Sequence, residues 1–229
     1  MWNDFLSLIY PRVCPGCREG LMKNEKCICI GCLIELVNNQ DCKYHANFVS
    51  KILWGRIKFD AAISLCSFSK ESKIQKLIYA LKYDNQPLIG EVLGVELGKE
   101  ILKNSVIKGV NMIIPVPLHK KRERKRGYNQ SYFIAKGVSK VLKAPINVNV
   151  LIKGTYKTSQ TNKNRYHRWL NSNDTFLKGC SDYDLENKHI LIVDDVITTG
   201  ATIENCVSVL KDIKGLKVSI ATIAMSQQA

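Results

Sequence analysis

The feature that most constrains the fold is an apolar run that leads directly into two carboxylates and a threonine-rich turn, Ile-Leu-Ile-Val-Asp-Asp-Val-Ile-Thr-Thr-Gly-Ala-Thr at residues 190–202. The four branched apolar residues predict a buried strand. Ligands of open α/β sheets bind beyond the carboxyl ends of the strands, so Asp194 and Asp195 are predicted to face a ligand. Two adjacent aspartates are too costly in a dry interior to serve only as structure.

The turn that follows the aspartates is suited to a phosphate. A glycine-containing turn that leads into a helix presents unpaired backbone N–H groups and a favourable dipole to an anion. The aspartates would repel a phosphate, so we assign them to sugar hydroxyls or to the hydrated Mg²⁺ that accompanies phosphates. The pattern therefore indicates a site for a sugar 5′-phosphate, with a phosphate-binding turn made of Thr198, Thr199, Gly200, Ala201 and Thr202.

A second candidate segment is the basic stretch Pro-Val-Pro-Leu-His-Lys-Lys-Arg-Glu-Arg-Lys-Arg-Gly-Tyr-Asn-Gln at residues 115–130. It follows a predicted strand, as a ligand-binding loop should. A cluster of one sign repels itself unless it holds an anion, and arginine gives phosphate oxygens bidentate bonds. Gly127 would let the chain turn close to a ligand. The alternative is a solvated run of charges.

Four of the nine cysteines form two pairs, Cys14-Pro-Gly-Cys17 and Cys29-Ile-Gly-Cys32, with eleven residues between them. Each pair can direct two thiolates at one ion, and Gly16 and Gly31 permit the tight turns. Two such pairs complete the tetrahedral Cys₄ site of a structural Zn²⁺, which would stabilise a segment that has few large apolar residues. A redox pair is the alternative. Cys27 is a candidate substitute ligand, whereas Cys42 and His45 have ligand-like spacing but are expected to be bystanders.

These motifs together carry a resemblance to known families. Residues 190–202 resemble the phosphoribosyl pyrophosphate (PRPP) binding motif of the type I phosphoribosyltransferases. Pro-Val-Pro-Leu-His, the spaced arginines and Arg-Gly-Tyr-Asn-Gln, joined to an N-terminal Cys-x-x-Cys pair, resemble the ComF family. That family is described as a zinc-bearing module fused to a phosphoribosyltransferase domain and associated with DNA uptake in natural competence. Many of its members carry further Cys-x-x-Cys pairs, which this chain lacks.

The resemblance implies roles for particular residues. Asp194 and Asp195 would hold the ribose hydroxyls and hydrated Mg²⁺, while Arg122, Arg126 and Lys82 would take the pyrophosphate. Pyrophosphate would then leave C1 of PRPP, and an acceptor nucleophile that no residue identifies would form the new bond to C1. Whether the chain catalyses this reaction or only binds PRPP stays open at this point.

A third segment, residues 155–176, mixes basic with aromatic side chains between two predicted strands. The resemblance implies a mobile loop that closes over PRPP and excludes water. The same composition is typical of a surface for single-stranded nucleic acid, and a surface loop with its tryptophan in the core is a third possibility. The residues concerned are Lys157, Gln160, Arg165, Tyr166, Arg168 and Trp169.

The chain is predicted to have two parts, a zinc-binding module with a connector at residues 1–58 and an α/β domain at residues 59–229. We expect the connector to pack against the domain. Strands alternating with helices imply a mostly parallel sheet flanked by helices, of the type I phosphoribosyltransferase kind. The predicted strands are 61–68, 110–116, 146–151, 189–193 and 216–224, and the predicted helices are 72–83, one from 87, 128–142 and 203–213.

The formal charge of +14 points to a polyanionic partner such as nucleic acid, although many basic proteins bind none. No apolar run is long enough to span a bilayer, and the N-terminus lacks the features of a secretory signal, so a cytoplasmic protein is expected. The sequence favours a PRPP- and Mg²⁺-binding protein that handles single-stranded DNA with the competence machinery. The alternative is an active phosphoribosyltransferase of nucleotide or purine-type metabolism without a DNA role.

Overall fold

The computed structural model describes residues 11–38, 45–68, 71–103, 107–154, 176–179 and 184–226. In this part of the chain, no helix has the length and apolar character needed to cross a membrane. The helices are α1 (Ile30–Asn38), α2 (His45–Leu53), α3 (Lys73–Tyr83), α4 (Pro87–Lys103), α5 (Lys120–Arg126), α6 (Gln130–Leu142) and α7 (Ala201–Ser208). The strands are β1 (Ala61–Phe68), β2 (Met112–Pro115), β3 (Leu151–Lys153), β4 (Phe176–Lys178), β5 (His189–Ile197) and β6 (Lys217–Ser226).

A four-stranded parallel sheet with the strand order β1-β6-β5-β2 forms the centre of the fold. Successive residues of β5 enter two different apolar clusters, Leu191 one and Ile192 the other, because side chains alternate along a strand. Helices α3, α4 and α6 supply the first cluster, and α2 and α7 the second. The predicted α/β class, with helices flanking a mostly parallel sheet, is confirmed.

Helices α4 and α6 approach each other through glycines. A Cβ atom added to Gly94 would lie 2.2 Å from the carbonyl oxygen of Ile134, and one added to Gly137 would lie 2.2 Å from that of Glu91. The backbones of the two helices are therefore in direct contact.

Some predicted elements differ from the observed ones. Residues 146–151 do not form a strand: Ile146 makes one bridge to Ile113, and β3 starts only at Leu151. The side chain of Asn147 accepts a hydrogen bond from the N–H of Asn149 (2.8 Å), a local turn that competes with strand pairing. The helix predicted at 203–213 runs instead from Ala201 to Ser208.

The connector packs against the sheet as predicted. Val49 and Leu53 of α2 are completely buried in the second apolar cluster. The cysteine segment joins the first cluster, where Cys14 and Cys32 are grouped with Leu65 and Leu77. The division of the chain at residue 58 stays a prediction.

Candidate functional site

The two aspartates lie inside β5, which continues through them to Ile197 because its ladder with β6 pairs Asp194 with Thr222. Asp194 Oδ1 accepts hydrogen bonds from Ser131 Oγ (2.8 Å) and from the backbone N–H of Asp195 (2.9 Å). Asp195 Oδ2 lies 2.9 Å from Lys82 Nζ and makes no hydrogen bond with the described residues. Helices α3 and α6 therefore each direct one polar side chain to this carboxylate pair.

Burial controls the protonation of Asp194. Asp194 is 8% exposed and Asp195 is 4% exposed. Burial raises the pKa of Asp194 to about 7, and the neighbouring carboxylate of Asp195 adds to the effect. The hydrogen bonds from Asp195 and Ser131 and the charge of Lys82 act in the opposite direction. Asp194 can therefore gain or lose a proton near neutral pH.

The predicted phosphate-binding turn follows β5 directly and leads into α7. Gly200 has a φ of +77°, a left-handed conformation that glycine adopts most readily, and no side chain caps the helix. A Cβ atom at Gly200 would lie 2.8 Å from Leu53 Cδ2 of α2. Arg56 donates hydrogen bonds to the carbonyl of Thr199 and to the carboxylate of Glu204. The connector thus holds the turn from outside.

The basic stretch forms a helix where the sequence suggested a loop. His119 caps α5 by accepting from the N–H of Lys121 (3.2 Å), and Gly127, at a φ of +86°, ends it. Such caps at both ends favour a short helix over a loop. A Cβ atom at Gly127 would meet nothing within 4 Å, so the left-handed backbone alone calls for glycine there.

The two arginines implied for pyrophosphate occupy different surroundings. The guanidinium of Arg126 bonds to Gln130 and lies 5.7 Å from the centre of the Tyr83 ring. Gln130 precedes Ser131, so Arg126 is fixed near the residue that binds Asp194. Arg122 is exposed, and its side chain forms no hydrogen bond or ion pair within the described part of the chain.

The four cysteines of the two pairs come together. The sulfur atoms of Cys14, Cys17, Cys29 and Cys32 all lie within 4.8 Å of one another, a spacing and donor set that fit a tetrahedral Zn²⁺ site. Glu25 supports this arrangement by accepting from the N–H groups of Met22 and Ile30, both at 2.7 Å. These backbone bonds lower the pKa of Glu25.

The cysteines of this segment differ in how readily they ionise. Burial opposes ionisation of Cys14, but backbone N–H groups of Cys29, Cys17 and Gly16 lower its pKa to about 7. Cys27 lies outside the four-sulfur group, and burial raises its pKa to about 11. Gly16 is needed, because a Cβ atom would lie 3.0 Å from Cys32 Sγ.

The prediction that Gly31 permits a tight turn is wrong, since Gly31 belongs to helix α1 and has open space around it. The helical turn itself brings Cys29 and Cys32 together.

The six predicted residues between 157 and 169 lie outside the described part of the chain, as does Cys42. His45 is the first residue of α2. The strands β3 and β4 that border this segment pair with each other in antiparallel fashion.

Sequence reasoning missed Ser131, Arg56 and Thr222. The hydroxyl of Thr222, opposite Asp194 in the ladder, is buried without a hydrogen-bond partner among the described residues. These residues have no motif of their own, and only the fold brings them to the aspartates or the turn. The basic character and position of Arg56, just after the connector helix, gave no hint of its contact with Thr199.

Comparison with known proteins agrees with this geometry. The phosphoribosyl transferase domain family matches residues 129–228, which include α6, the aspartates and the turn. The fold and this match thus indicate a domain of the phosphoribosyltransferase type.

Competence protein F of Haemophilus influenzae is 27% identical over 209 residues, 86% of this chain and 90% of that protein. The DNA utilization protein YhgH of Escherichia coli O157:H7 is 28% identical over 58% of this chain and 59% of its own length. A hypothetical protein from Neisseria gonorrhoeae with bound ppGpp aligns over 65% of this chain and 71% of its own, with 17% identity and a TM-score of 0.40. These relatives and the matched domain support the resemblance to the ComF family that the sequence motifs carry.

Proposed function

We propose that this protein binds PRPP, or a closely related phosphorylated ribose, together with Mg²⁺ at the carboxyl edge of its parallel sheet. The observation that carries the proposal is the pair of buried carboxylates at residues 194 and 195, followed within three residues by a glycine–threonine turn at a helix N-terminus. Parallel sheets bind ligands at this edge, and the turn offers N–H donors where a phosphate is best stabilised.

Each part of the site has a separate task in this proposal. The turn of residues 198–202 holds the 5′-phosphate, and the carboxylates accept from the ribose hydroxyls or hold water-bound Mg²⁺. Ser131 orients Asp194, and Lys82, now paired with Asp195, is close enough to exchange that partner for a ligand phosphate. Arg126 lies at the border of the site with its guanidinium already fixed by Gln130.

Catalysis would require charge to be stabilised on a departing pyrophosphate. Bound Mg²⁺ would supply Lewis-acid stabilisation of that charge. The chain contributes Lys82 and the arginines of α5 for the same purpose, and such electrostatic stabilisation is where a site of this kind gains most of its rate. The ionised form of Asp194 accepts hydrogen bonds from ribose hydroxyls most strongly. Because the pKa of Asp194 is raised to about 7, ligand binding should depend on pH around neutrality.

We further propose that the cysteine group holds a structural Zn²⁺. Four sulfurs within 4.8 Å and N–H bonds to Cys14 and Cys29 sulfurs, both at 3.4 Å, support a thiolate site. The role of the metal would be to stabilise a segment whose apolar residues alone form only a small core.

A role in DNA uptake and the handling of single-stranded DNA completes the proposal. Relatives of 27–28% identity carry names that refer to competence and to DNA utilization. The charge of +14 exceeds what a small phosphorylated sugar requires. The segment at residues 155–176 remains proposed either as a closing loop over PRPP or as part of the nucleic-acid surface, and the two roles are compatible.

The alternative is an active phosphoribosyltransferase of nucleotide metabolism with no DNA role. One observation favours it: both carboxylates are retained and supported by dedicated partners, Ser131 and Lys82. A groove used only for DNA would gain affinity by losing both negative charges.

Calorimetric titration of PRPP with Mg²⁺ tests the sugar-phosphate site. Wild-type protein should bind saturably, and the Asp194→Asn, Asp195→Asn double variant should not. The matched control is Asp184→Asn with Asp212→Asn, two exposed aspartates away from the site, which should bind as wild type. Absence of binding by wild type would refute the site.

Binding of single-stranded DNA as a function of salt separates the main proposal from the alternative. Each phosphate contact contributes about −0.7 to the log–log slope, so a slope of roughly −3 or steeper is expected. A flat response would leave only the metabolic alternative.

A further inference from the structure

The exposed face of α3 carries two tyrosines with no place in the proposed sugar-phosphate site. Tyr79 and Tyr83 are 57% and 65% exposed. They are four residues apart and therefore on one face of the helix, with ring centres 4.8 Å from each other. The other face of α3, with Leu77, Ile78 and Leu81, is buried in the core.

A cationic helix lies beside this aromatic pair. The guanidinium of Arg126, the last residue of α5, lies 5.7 Å from the Tyr83 ring centre. The other cations of α5 are all exposed, and none forms an ion pair with a described carboxylate: Lys120, Lys121, Arg122, Arg124 and Lys125. The exposed rings of α3 are therefore next to the exposed cations of the short helix α5.

The ring of Tyr79 also borders a groove of about 770 Å³ between α3 and the cysteine segment. Tyr79 lines it together with Pro15 and Gln86. Its charged residues balance, since Arg18 and Lys76 face Glu71 and Asp84. The groove is therefore suited to neutral polar groups with flat faces, whereas α5 is suited to phosphates.

We propose that Tyr79, Tyr83, the groove and α5 form a track for single-stranded nucleic acid, with bases on the rings and phosphates along α5. Bases stack on aromatic side chains without regard to sequence, and a basic strip follows the backbone. A duplex could not use the rings, because its bases are already stacked on each other. The inference rests on the DNA-handling part of the proposed function, and it assigns DNA binding to a surface outside the segment at residues 155–176.

The track reaches the candidate site. Lys82, between the two tyrosines in the sequence, forms the ion pair with Asp195. Arg126 joins Tyr83 at one side to Gln130 at the other, next to Ser131 and Asp194. A strand bound along the track would therefore have one part near the carboxylates.

The first test measures binding of a fluorescein-labelled dT12 oligonucleotide by anisotropy. The Tyr79→Leu, Tyr83→Leu variant should bind roughly 5- to 150-fold more weakly, the effect of losing one stacked base. Tyr79→Phe with Tyr83→Phe keeps the rings and should bind as wild type. The matched control is Phe48→Leu, because Phe48 is also 52% exposed beneath a cation, Lys51, but belongs to α2, which packs into the other apolar cluster.

The second test uses the salt dependence of the same binding. Lys121→Gln, Arg124→Gln and Lys125→Gln together should reduce the steepness of the log–log slope by about 2, or about 0.7 per lost contact. The control is Lys211→Gln, Lys214→Gln and Lys217→Gln, an equal charge change near the start of β6, at the opposite edge of the sheet. Equal effects of the two triple variants would overturn the track.

Titration of PRPP with Mg²⁺ into the tyrosine-to-leucine variant distinguishes this inference from the sugar-phosphate proposal. Retained PRPP binding with lost dT12 binding supports the track. Unchanged dT12 binding by the leucine variant overturns the track and leaves the PRPP site untouched. Failure of wild type to bind PRPP, with dT12 binding still dependent on the rings, overturns the sugar-phosphate site alone.

Discussion

The cysteine segment and the parallel sheet reach order by different means. Residues 11–38 bury only a few apolar side chains, among them Ile28 and Leu36, and converge on four sulfur atoms. The sheet buries nearly every residue of β5 and β6 between two layers of helices. The cysteine segment therefore depends on a few polar contacts, whereas the stability of the sheet is distributed over many small apolar contacts.

The largest expected effect is the unfolding of the cysteine segment when the metal is chelated or when Cys32 is replaced in Cys32→Ser. Metal binding to four thiolates contributes on the order of 10 kcal/mol, so the segment should lose its structure while the sheet stays folded. Hydrogen exchange should rise over residues 11–38 and remain low in β5 and β6. Cys27→Ala is the control, because Cys27 lies outside the sulfur group, and it should keep one metal per chain.

If chelation left exchange in residues 11–38 unchanged, the contrast between the two regions would be mistaken.

The second prediction compares one glycine from each region. Gly94→Ala should destabilise the protein by about 3 kcal/mol or more, because the new methyl group would overlap the backbone of α6. Gly31→Ala, in the open first turn of α1, should stabilise by roughly 0.5–1 kcal/mol. Urea unfolding measures both, and a similar midpoint for the two variants would disprove the close contact.

The third prediction concerns the buried carboxylate pair in the sheet, Asp194 and Asp195. The pKa of Asp194 is raised to about 7 by burial and by Asp195, so the folded state holds a proton that the unfolded chain has already lost. Stability should therefore fall as pH rises from about 4 to about 7. Asp194→Asn cannot ionise, and its stability relative to wild type should increase by a few kcal/mol over this range.

Ser131→Ala sharpens that test. The hydroxyl favours the ionised form of Asp194, so its removal should raise the pKa further and shift the onset of PRPP binding to higher pH. Calorimetry at several pH values measures the shift. Ser139→Ala, which removes a hydroxyl that bonds to the Ala144 carbonyl, is a control that should leave the pH profile unchanged.

The smallest expected effect is that of Arg56→Gln. Its guanidinium bridges Thr199 and Glu204, but it is 37% exposed, and exposed ion pairs contribute little. PRPP affinity should fall roughly two- to fivefold with unchanged thermal stability. A loss as large as that of the double aspartate variant would show that the connector is part of the binding site.

The sequence allowed good predictions where chemistry is encoded locally. The spacing of Cys14, Cys17, Cys29 and Cys32 predicted one cluster, and the apolar run before Asp194 predicted the central strand. Where local turn and cap chemistry competed with a regional pattern, prediction failed, as at Asn147 and in the caps of α5. Ser131 and Lys82 reach the aspartates only through the packing of whole helices, which no short segment encodes.

The backbone contact between α4 and α6 makes the two helices one stiff unit. An interface of side chains can adapt by changing rotamers, but two touching backbones have no adjustable part. Ser131 lies on α6 about 9 Å along the helix axis from Gly137. Any evolutionary change of ligand at this sheet edge must therefore arise in the segments around β5, while the spacing of these helices is inherited unchanged.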